Sequence, residues 1–388
     1  MNILYDFISM QGFINGGGEY AKRILQEIII RQNNIKIYGL FDSKIKFIGN
    51  DEDYYNSISI KLLDVQKKNI ATYISEFSID IFFIGIAQNY LSYDFCGIKC
   101  KTVIIIHDIG TIESAFNNIF FHYSPSIRKW VKLNLSYLFR SSKFSWGNHS
   151  KNLFSAFIKY AQQDNVQIIT VSNYTLGSLK YYFPELENKE IRIFYPPEKL
   201  HDNIDNPINP TIKHLIESSI KYLLILSTDR ENKNAKILNN VFQIINGKYP
   251  QFYLVSTGNL YKTERNTISL GYISDSDMEI LYKNAYALVY PSTTEGFGYP
   301  PLEAMKYGVP VLSSNVCSMP EVLSDSVIYF SPFYENDLYD KLIYLFNNYE
   351  EYSMRARKRY DIVNQRQRKD LNELVDYILE SDIESIID

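Results

Sequence analysis

The stretch Pro291-Ser-Thr-Thr-Glu-Gly-Phe-Gly-Tyr-Pro-Pro-Leu-Glu-Ala-Met-Lys-Tyr-Gly-Val-Pro310 restricts this chain more than any other. It follows an apolar run, Ala285-Tyr-Ala-Leu-Val-Tyr290, which reads as a buried parallel strand ended by Pro291 and Ser292. Gly296 and Gly298 permit positive φ or close approach of a ligand to the backbone. Pro300 and Pro301 suit a first helical turn, where the missing N–H would have no intrahelical partner. Leu302-Glu-Ala-Met-Lys306 then continues as good helix-forming sequence. The unit is strand, glycine loop, helix N-terminus, whose amides and partial positive charge suit a phosphate. Glu295 and Glu303 place carboxylates on either side of that cradle.

A bare pair of glutamates would read as two surface residues beside a tight turn. Here seven residues separate Glu295 from Glu303, and glycines, prolines, Ala304-Met305 and Gly308-Val309-Pro310 frame them. In that frame the pair resembles the E-x7-E signature of retaining GT-B enzymes of glycosyltransferase family 4. The resemblance implies an α/β chain of two Rossmann-like domains facing a cleft, the GT-B fold. It also implies transfer of a hexose from a nucleotide diphosphate sugar to a hydroxyl acceptor, with anomeric configuration retained.

A length of 388 residues favours two domains over one core. A net charge of −4 gives no overall basic field, so no nucleic-acid partner is expected. Cys96, Cys100 and Cys317 form no disulfide framework and no Cys/His cluster, which points to ordinary thiols in a reducing compartment. The start, Met-Asn-Ile-Leu-Tyr-Asp, lacks the basic and apolar regions of a signal peptide, and no run of about 18 apolar residues occurs. The expected location is cytoplasmic, with peripheral contact at the inner face of the plasma membrane.

Strand candidates in the first half are Asn2 to Phe7, Ile35 to Phe41, Ile79 to Ile84, Thr102 to Ile106, Val166 to Ser172 and Ile191 to Phe194. Their alternation with helical segments indicates a parallel sheet. Gly16, Gly17 and Gly18 lie in a loop before a helix from Ala21 to Arg31, as either a flexible turn or a source of amides for a diphosphate. Val-Ile-Ile-Ile-His-Asp delivers His107 and Asp108 at a strand's carboxyl end, where ligands bind in open α/β sheets. A lone histidine is more often structural. The family resemblance instead implies that His107 faces the donor sugar and that Gly17 and Gly18 approach the donor. Ser172 reads as the N-cap of a helix from Tyr174.

Ala115 to Gln163 contains no Asp or Glu. It interleaves Arg128, Lys129, Lys132, Arg140, Lys143, Lys151 and Lys159 with Phe120, Phe121, Trp130, Tyr137, Leu138, Phe139, Phe144 and Trp146. That mixture suits either an anionic membrane surface and a lipid-linked acceptor, or an amphipathic helical pair with snorkelling lysines.

Pro196 to Pro210 is rich in Pro, Asn and Asp and makes the best boundary. It divides an acceptor-side domain, 1–196, from a donor-binding domain, 197–388, whose last helix is expected to pack back on the first. Tyr222 to Ser227, Phe252 to Gly258 and Ile268 to Ile273 read as further strand units. In the second half Lys233 matches the family lysine that neutralises the donor diphosphate, and Arg230 is near enough to share the task. Ser227 and Asn232 depart from the family pattern, which has Gly and Arg there. Gly271, Tyr272 and Ile273 resemble the segment whose backbone reads the nucleobase. Arg355 to Lys369 reads as a helix face and then a solvated turn, and Glu321 as a residue that orients structure.

The chemistry needs fixed cations, because a departing nucleoside diphosphate develops negative charge. With Lys233 and Arg230 in that role, and with capping explaining Asp51, Asp53, Asp275 and Asp277, no metal and no cofactor are expected beyond the donor substrate. The resemblance gives Glu295, with Gly296, Phe297 and Gly298, the transferred sugar, and Glu303 the ribose hydroxyls. Glu295, His107 and Lys233 are the expected catalytic group. The acceptor is expected to be a glycan or lipid-linked hydroxyl in polysaccharide assembly. A nucleotide-sugar epimerase, a phosphorylase or a non-catalytic nucleotide-sugar-binding subunit would share the architecture.

Overall fold

The computed structural model describes residues 1–12, 16–31, 34–47, 51–113, 131, 135, 146–199, 208–260 and 265–380. The chain forms two compact units. One is built on residues 1–109, 151–199 and the chain from Gln365 onward, and the other includes 208–364.

The first unit carries a seven-stranded parallel sheet, ordered β3-β2-β1-β4-β5-β6-β7. The strands are β1 (Asn2–Asp6), β2 (Lys36–Phe41), β3 (Lys61–Asp64), β4 (Ile81–Ile84), β5 (Lys101–Ile106), β6 (Val166–Thr170) and β7 (Ile191–Ile193). Ile3 pairs with Ile37 on one side and Ile81 on the other. Every residue of β4 is buried, as near-continuous apolar runs require when helices cover both faces of a sheet. The second unit carries a six-stranded parallel sheet, ordered β10-β9-β8-β11-β12-β13. Its strands are β8 (Lys221–Ile225), β9 (Phe252–Ser256), β10 (Thr267–Ser269), β11 (Ala287–Tyr290), β12 (Val311–Ser314) and β13 (Ile328–Phe330).

Helices Ala235–Lys248 and Glu335–Asn347 place Val241, Phe242, Ile245, Leu338, Leu342 and Leu345 against Leu223, Leu254, Val289 and Leu312 of the second sheet. Each such buried side chain contributes about 1.5–3 kcal/mol. Strand order reverses between β1 and β4 in one sheet and between β8 and β11 in the other. At such a reversal the connecting helices diverge to opposite faces, leaving room for a ligand beyond the carboxyl ends.

Several expected boundaries move. The helix expected from Ala21 begins at Gly16, so the three glycines form its first turn and not a loop. Tertiary packing overrides their poor helix propensity. Asp51 and Asp53 lie in helix Asp51–Ser57 and not in a polar loop. The solvated turn expected near Asn364 does not form. A single helix, Tyr349–Leu379, runs through it with Asn364 and Gln367 buried. β10 is shorter than the expected strand from Ile268 to Ile273. Serines cap two helices, Ser172 where the sequence places it and Ser274 in place of the aspartates expected to cap there. The Ser172 hydroxyl accepts from the Thr175 N–H at 3.1 Å, and the Ser274 hydroxyl accepts from the Asp277 N–H at 3.1 Å. Residues 200–207 of the linker fall outside the described residues. So do Phe120, Phe121, Arg128, Lys129, Trp130, Lys132, Tyr137, Leu138, Phe139, Arg140, Lys143, Phe144 and the Trp146 side chain. Among the described residues no helix is long and apolar enough to cross a membrane.

Candidate active site

In the second unit, Lys233 and Glu295 meet at the sheet reversal, beyond the ends of β8 and β11. After β8 the chain makes a 3-10 turn, Glu231–Lys233, and enters helix Ala235–Lys248 through Asn234 in the left-handed region at φ +50°. Asparagine tolerates that conformation better than most residues. Its side-chain amide donates to the Pro332 carbonyl at 2.9 Å, which fixes the turn. Lys233 is thereby buried and aimed at the loop after β11.

That loop is tied to the lysine turn through one carbonyl. The Asn232 carbonyl accepts from the Thr293 N–H at 2.7 Å and the Ser292 hydroxyl at 3.1 Å. The Asn232 side chain returns a bond to the Thr294 carbonyl at 3.3 Å. Glu295 is held at both ends. Its carbonyl accepts from the Ser318 hydroxyl at 3.0 Å, and its Oε1 gathers three donors. These are the Lys233 ammonium, the Tyr290 hydroxyl at 2.6 Å and the Ser292 hydroxyl at 2.5 Å. Lys233 also donates to the Tyr290 hydroxyl at 2.8 Å and lies over that ring, 4.8 Å from its centroid. Burial, then the charge of Glu295, pushes the Tyr290 phenol well above its ordinary value, so it stays protonated and can donate.

Glu303 stands on helix Tyr299–Met305, where its Oε2 accepts from the Tyr282 hydroxyl at 2.6 Å. Its charge also acts on Tyr290, as does that of the exposed Arg230. Lys233 and Glu295 meet at one phenol. Gly296 and Phe297 are buried in the loop, and Gly298 begins the helix at φ +88°. Glycine suits this left-handed conformation, and a Cβ there would also have to displace the flexible end of Met319, whose methyl would lie 2.3 Å away. Gly271, also at positive φ, accepts from the Gly258 N–H at 3.1 Å. It leads to Tyr272, 84% exposed, and the buried Ile273.

In the first unit the structure brings His107 and the glycine turn together. His107 Nε2 lies 2.9 Å from the Gly85 carbonyl. A Cβ on Gly17 would stand 3.2 Å from that nitrogen and 2.8 Å from Ile86 Cδ1. Gly18 is buried in the same helical turn. Burial lowers the His107 pKa to about 4, so the ring is neutral near pH 7. Among the described residues no group of three His, Cys, Asp or Glu side chains could hold a metal ion.

Tyr290, Tyr282, Ser292 and Ser318 were not legible as site residues. In sequence a buried phenol or hydroxyl resembles ordinary core until its partner is known. Asp6 carried a visible signal, since a lone acid ends an otherwise apolar first strand.

Two parallel Rossmann-like units define the GT-B fold. The chain superimposes on HepE from Anabaena, solved with UDP and glucose, at a TM-score of 0.66 with 14% identity, covering 97% of this chain and 99% of that one. WaaG, a glycosyltransferase involved in lipopolysaccharide biosynthesis, gives a TM-score of 0.66 with 14% identity, over 98% of this chain and 100% of the other. Residues 211–361 match the family described as glycosyl transferases group 1. Over 63 residues the chain is 54% identical to O-antigen chain mannosyltransferase B of Escherichia coli. That match takes in 16% of this chain and 16% of the relative's length.

Proposed function

We propose that this chain is a retaining hexosyltransferase that takes a sugar from a nucleotide diphosphate donor held by the second unit. The observation that carries the reading is the buried Lys233 ammonium set against Glu295 beyond β8 and β11. A leaving diphosphate accumulates charge that Lys233 and Arg230 offset, in a place where water competes poorly. Glu295 and the amides of Gly296, Phe297 and Gly298 hold the transferred sugar. Glu303, steadied by Tyr282, takes the ribose hydroxyls, since one carboxylate accepts two hydrogen bonds at once. The backbone of Gly271, Tyr272 and Ile273 lies against the base. His107 and the turn containing Gly17 and Gly18 are assigned to the donor on the sequence resemblance, with the neutral imidazole suited to a sugar hydroxyl.

Glu295 is not assigned as a covalent nucleophile. The resemblance implies reaction on one face of the sugar, with the leaving phosphate helping to deprotonate the acceptor. The O-antigen relative favours a mannosyl donor and a glycan or lipid-linked acceptor in surface-polysaccharide assembly. Peripheral contact with an anionic cytoplasmic leaflet belongs to the same reading, and co-sedimentation with anionic vesicles at low salt tests it.

A thermal-shift screen of UDP-, GDP- and dTDP-sugars tests the donor site. One base should raise the melting temperature as its concentration passes Kd. Stability unmoved by all three would overturn the reading. With Lys233 and Arg230 supplying the positive charge, transfer should persist undiminished in EDTA.

A further inference from the structure

Asp6 ends β1 at the sheet reversal, wholly buried, and its carboxylate accepts from five donors. Oδ1 takes the Ser9 N–H at 3.0 Å and the Tyr90 hydroxyl at 2.7 Å. Oδ2 takes the Ser9 hydroxyl, the Gly85 N–H at 2.9 Å and the Ile86 N–H at 3.4 Å. Burying a carboxylate is unfavourable, and an apolar residue ending this strand would avoid the penalty. What the carboxylate does locally is clamp the loop after β4, through the peptides on either side of Gly85.

The Gly85–Ile86 peptide also holds His107. Its N–H, that of Ile86, donates to Asp6 Oδ2 at 3.4 Å, and its carbonyl, that of Gly85, lies 2.9 Å from His107 Nε2. A carbonyl has no proton to give, so Nε2 carries the hydrogen and Nδ1 keeps the lone pair. The contact to the Ile86 N–H polarises this peptide and strengthens the Gly85 carbonyl as an acceptor, while the shorter bond to the Gly85 N–H at 2.9 Å anchors the peptide before it. The backbone at Gly85 packs closely on the first helix, since a Cβ there would stand 2.8 Å from the Ala21 methyl. Tyr20 meets the imidazole edge-on, with centroids 5.3 Å apart.

We propose that Asp6 is a positioning residue that fixes the tautomer and orientation of His107 through the Gly85–Ile86 peptide, leaving Nδ1 as the ring's acceptor. The catalytic meaning of this rests on the place given to His107 in the transfer reaction above, whereas the tautomer itself does not.

The test is nitrogen NMR of the full-length chain labelled with 15N-histidine. The His107 ring is assigned by the signals lost in His107→Gln. The wild-type ring should show a protonated Nε2 and an unprotonated Nδ1. In Asp6→Asn an amide group replaces an acceptor, and the two nitrogen signals should move toward each other as both tautomers become populated. A folded Asp6→Asn chain with unmoved His107 signals would overturn the proposal. If that variant does not fold, Ser9→Ala with Tyr90→Phe keeps the carboxylate and removes two side-chain donors. It should move the signals the same way by less, and unmoved signals there count equally against the proposal.

Turnover gives a second readout. Asp6→Asn combined with His107→Gln should lie within about twofold of His107→Gln alone, because residues acting as one unit are not additive. Full additivity would mean that Asp6 acts elsewhere, which also overturns the proposal. If His107→Gln turns over like wild type while the Asp6→Asn tautomer shift is seen, the assignment of His107 to transfer fails and the positioning stands.

Discussion

Lys233 and Glu295 keep only 10% and 15% of their side-chain surfaces exposed, so removing either leaves the other's charge poorly solvated and short of a partner. Lys233→Ala and Glu295→Ala should each lower transfer by about 10²–10³, measured as donor turnover with acceptor present. Near-wild-type rates in both would refute the site. His107 gives a pH signature independent of turnover. Its pKa falls from 6.5 to about 4 on folding, so between those values the unfolded chain binds more protons. The stability this neutral ring contributes is present above pH 6.5 and lost as pH falls toward 4, on the order of 3 kcal/mol in all. Urea denaturation of wild type and His107→Gln should therefore diverge in slope across that window, and parallel curves would contradict the burial of the ring. At this scale the charged residues were legible, because Glu295, Glu303 and Lys233 sit in patterned sequence. The hydroxyls that orient them were not, since nothing in a run such as Ala285 to Tyr290 distinguishes a phenol that bridges charges from one that only packs.

Among elements, strands built as unbroken apolar runs were the most readable, and β3 and β13 were missed. β4 and β5 announce themselves through Ile81-Phe-Phe-Ile84 and Val103-Ile-Ile-Ile106. β3 and β13, with four and three residues, do not. Such strands form because neighbours already present a parallel edge, which is information the local sequence lacks. The helix beginning at Gly16 is the converse case, where glycine signals a loop but close packing against Ile86 and His107 selects glycine inside a helical turn. The Ser172 cap was legible because its mechanism is local, whereas at Ser274 the neighbouring aspartates drew the expectation. Ser172→Ala and Ser274→Ala should each lower stability by about 0.5–2 kcal/mol in denaturant titrations. A loss below a few tenths would show that the amide of Thr175 or Asp277 is satisfied otherwise.

On the scale of the whole molecule, each sheet reverses its order once, and each reversal gathers the residues singled out in that unit: Asp6, Gly85 and His107 in one, Lys233 and Glu295 in the other. The unbroken helix Tyr349–Leu379 has a consequence of another kind. From Gln365 it belongs to the first unit, where Leu374, Val375 and Ile378 are fully buried. There Asp370 accepts from the Tyr195 N–H at 2.7 Å, and Arg31 pairs with Asp376 at 2.9 Å. A chain truncated after Asn364 should leave β1 to β7 open to rapid hydrogen exchange, and protection equal to wild type would contradict this. A ribosome delivers residues 1–199 early, yet the piece that closes them emerges only after the entire second unit has been made. Of the two units, the one whose strands are made first is the one completed last.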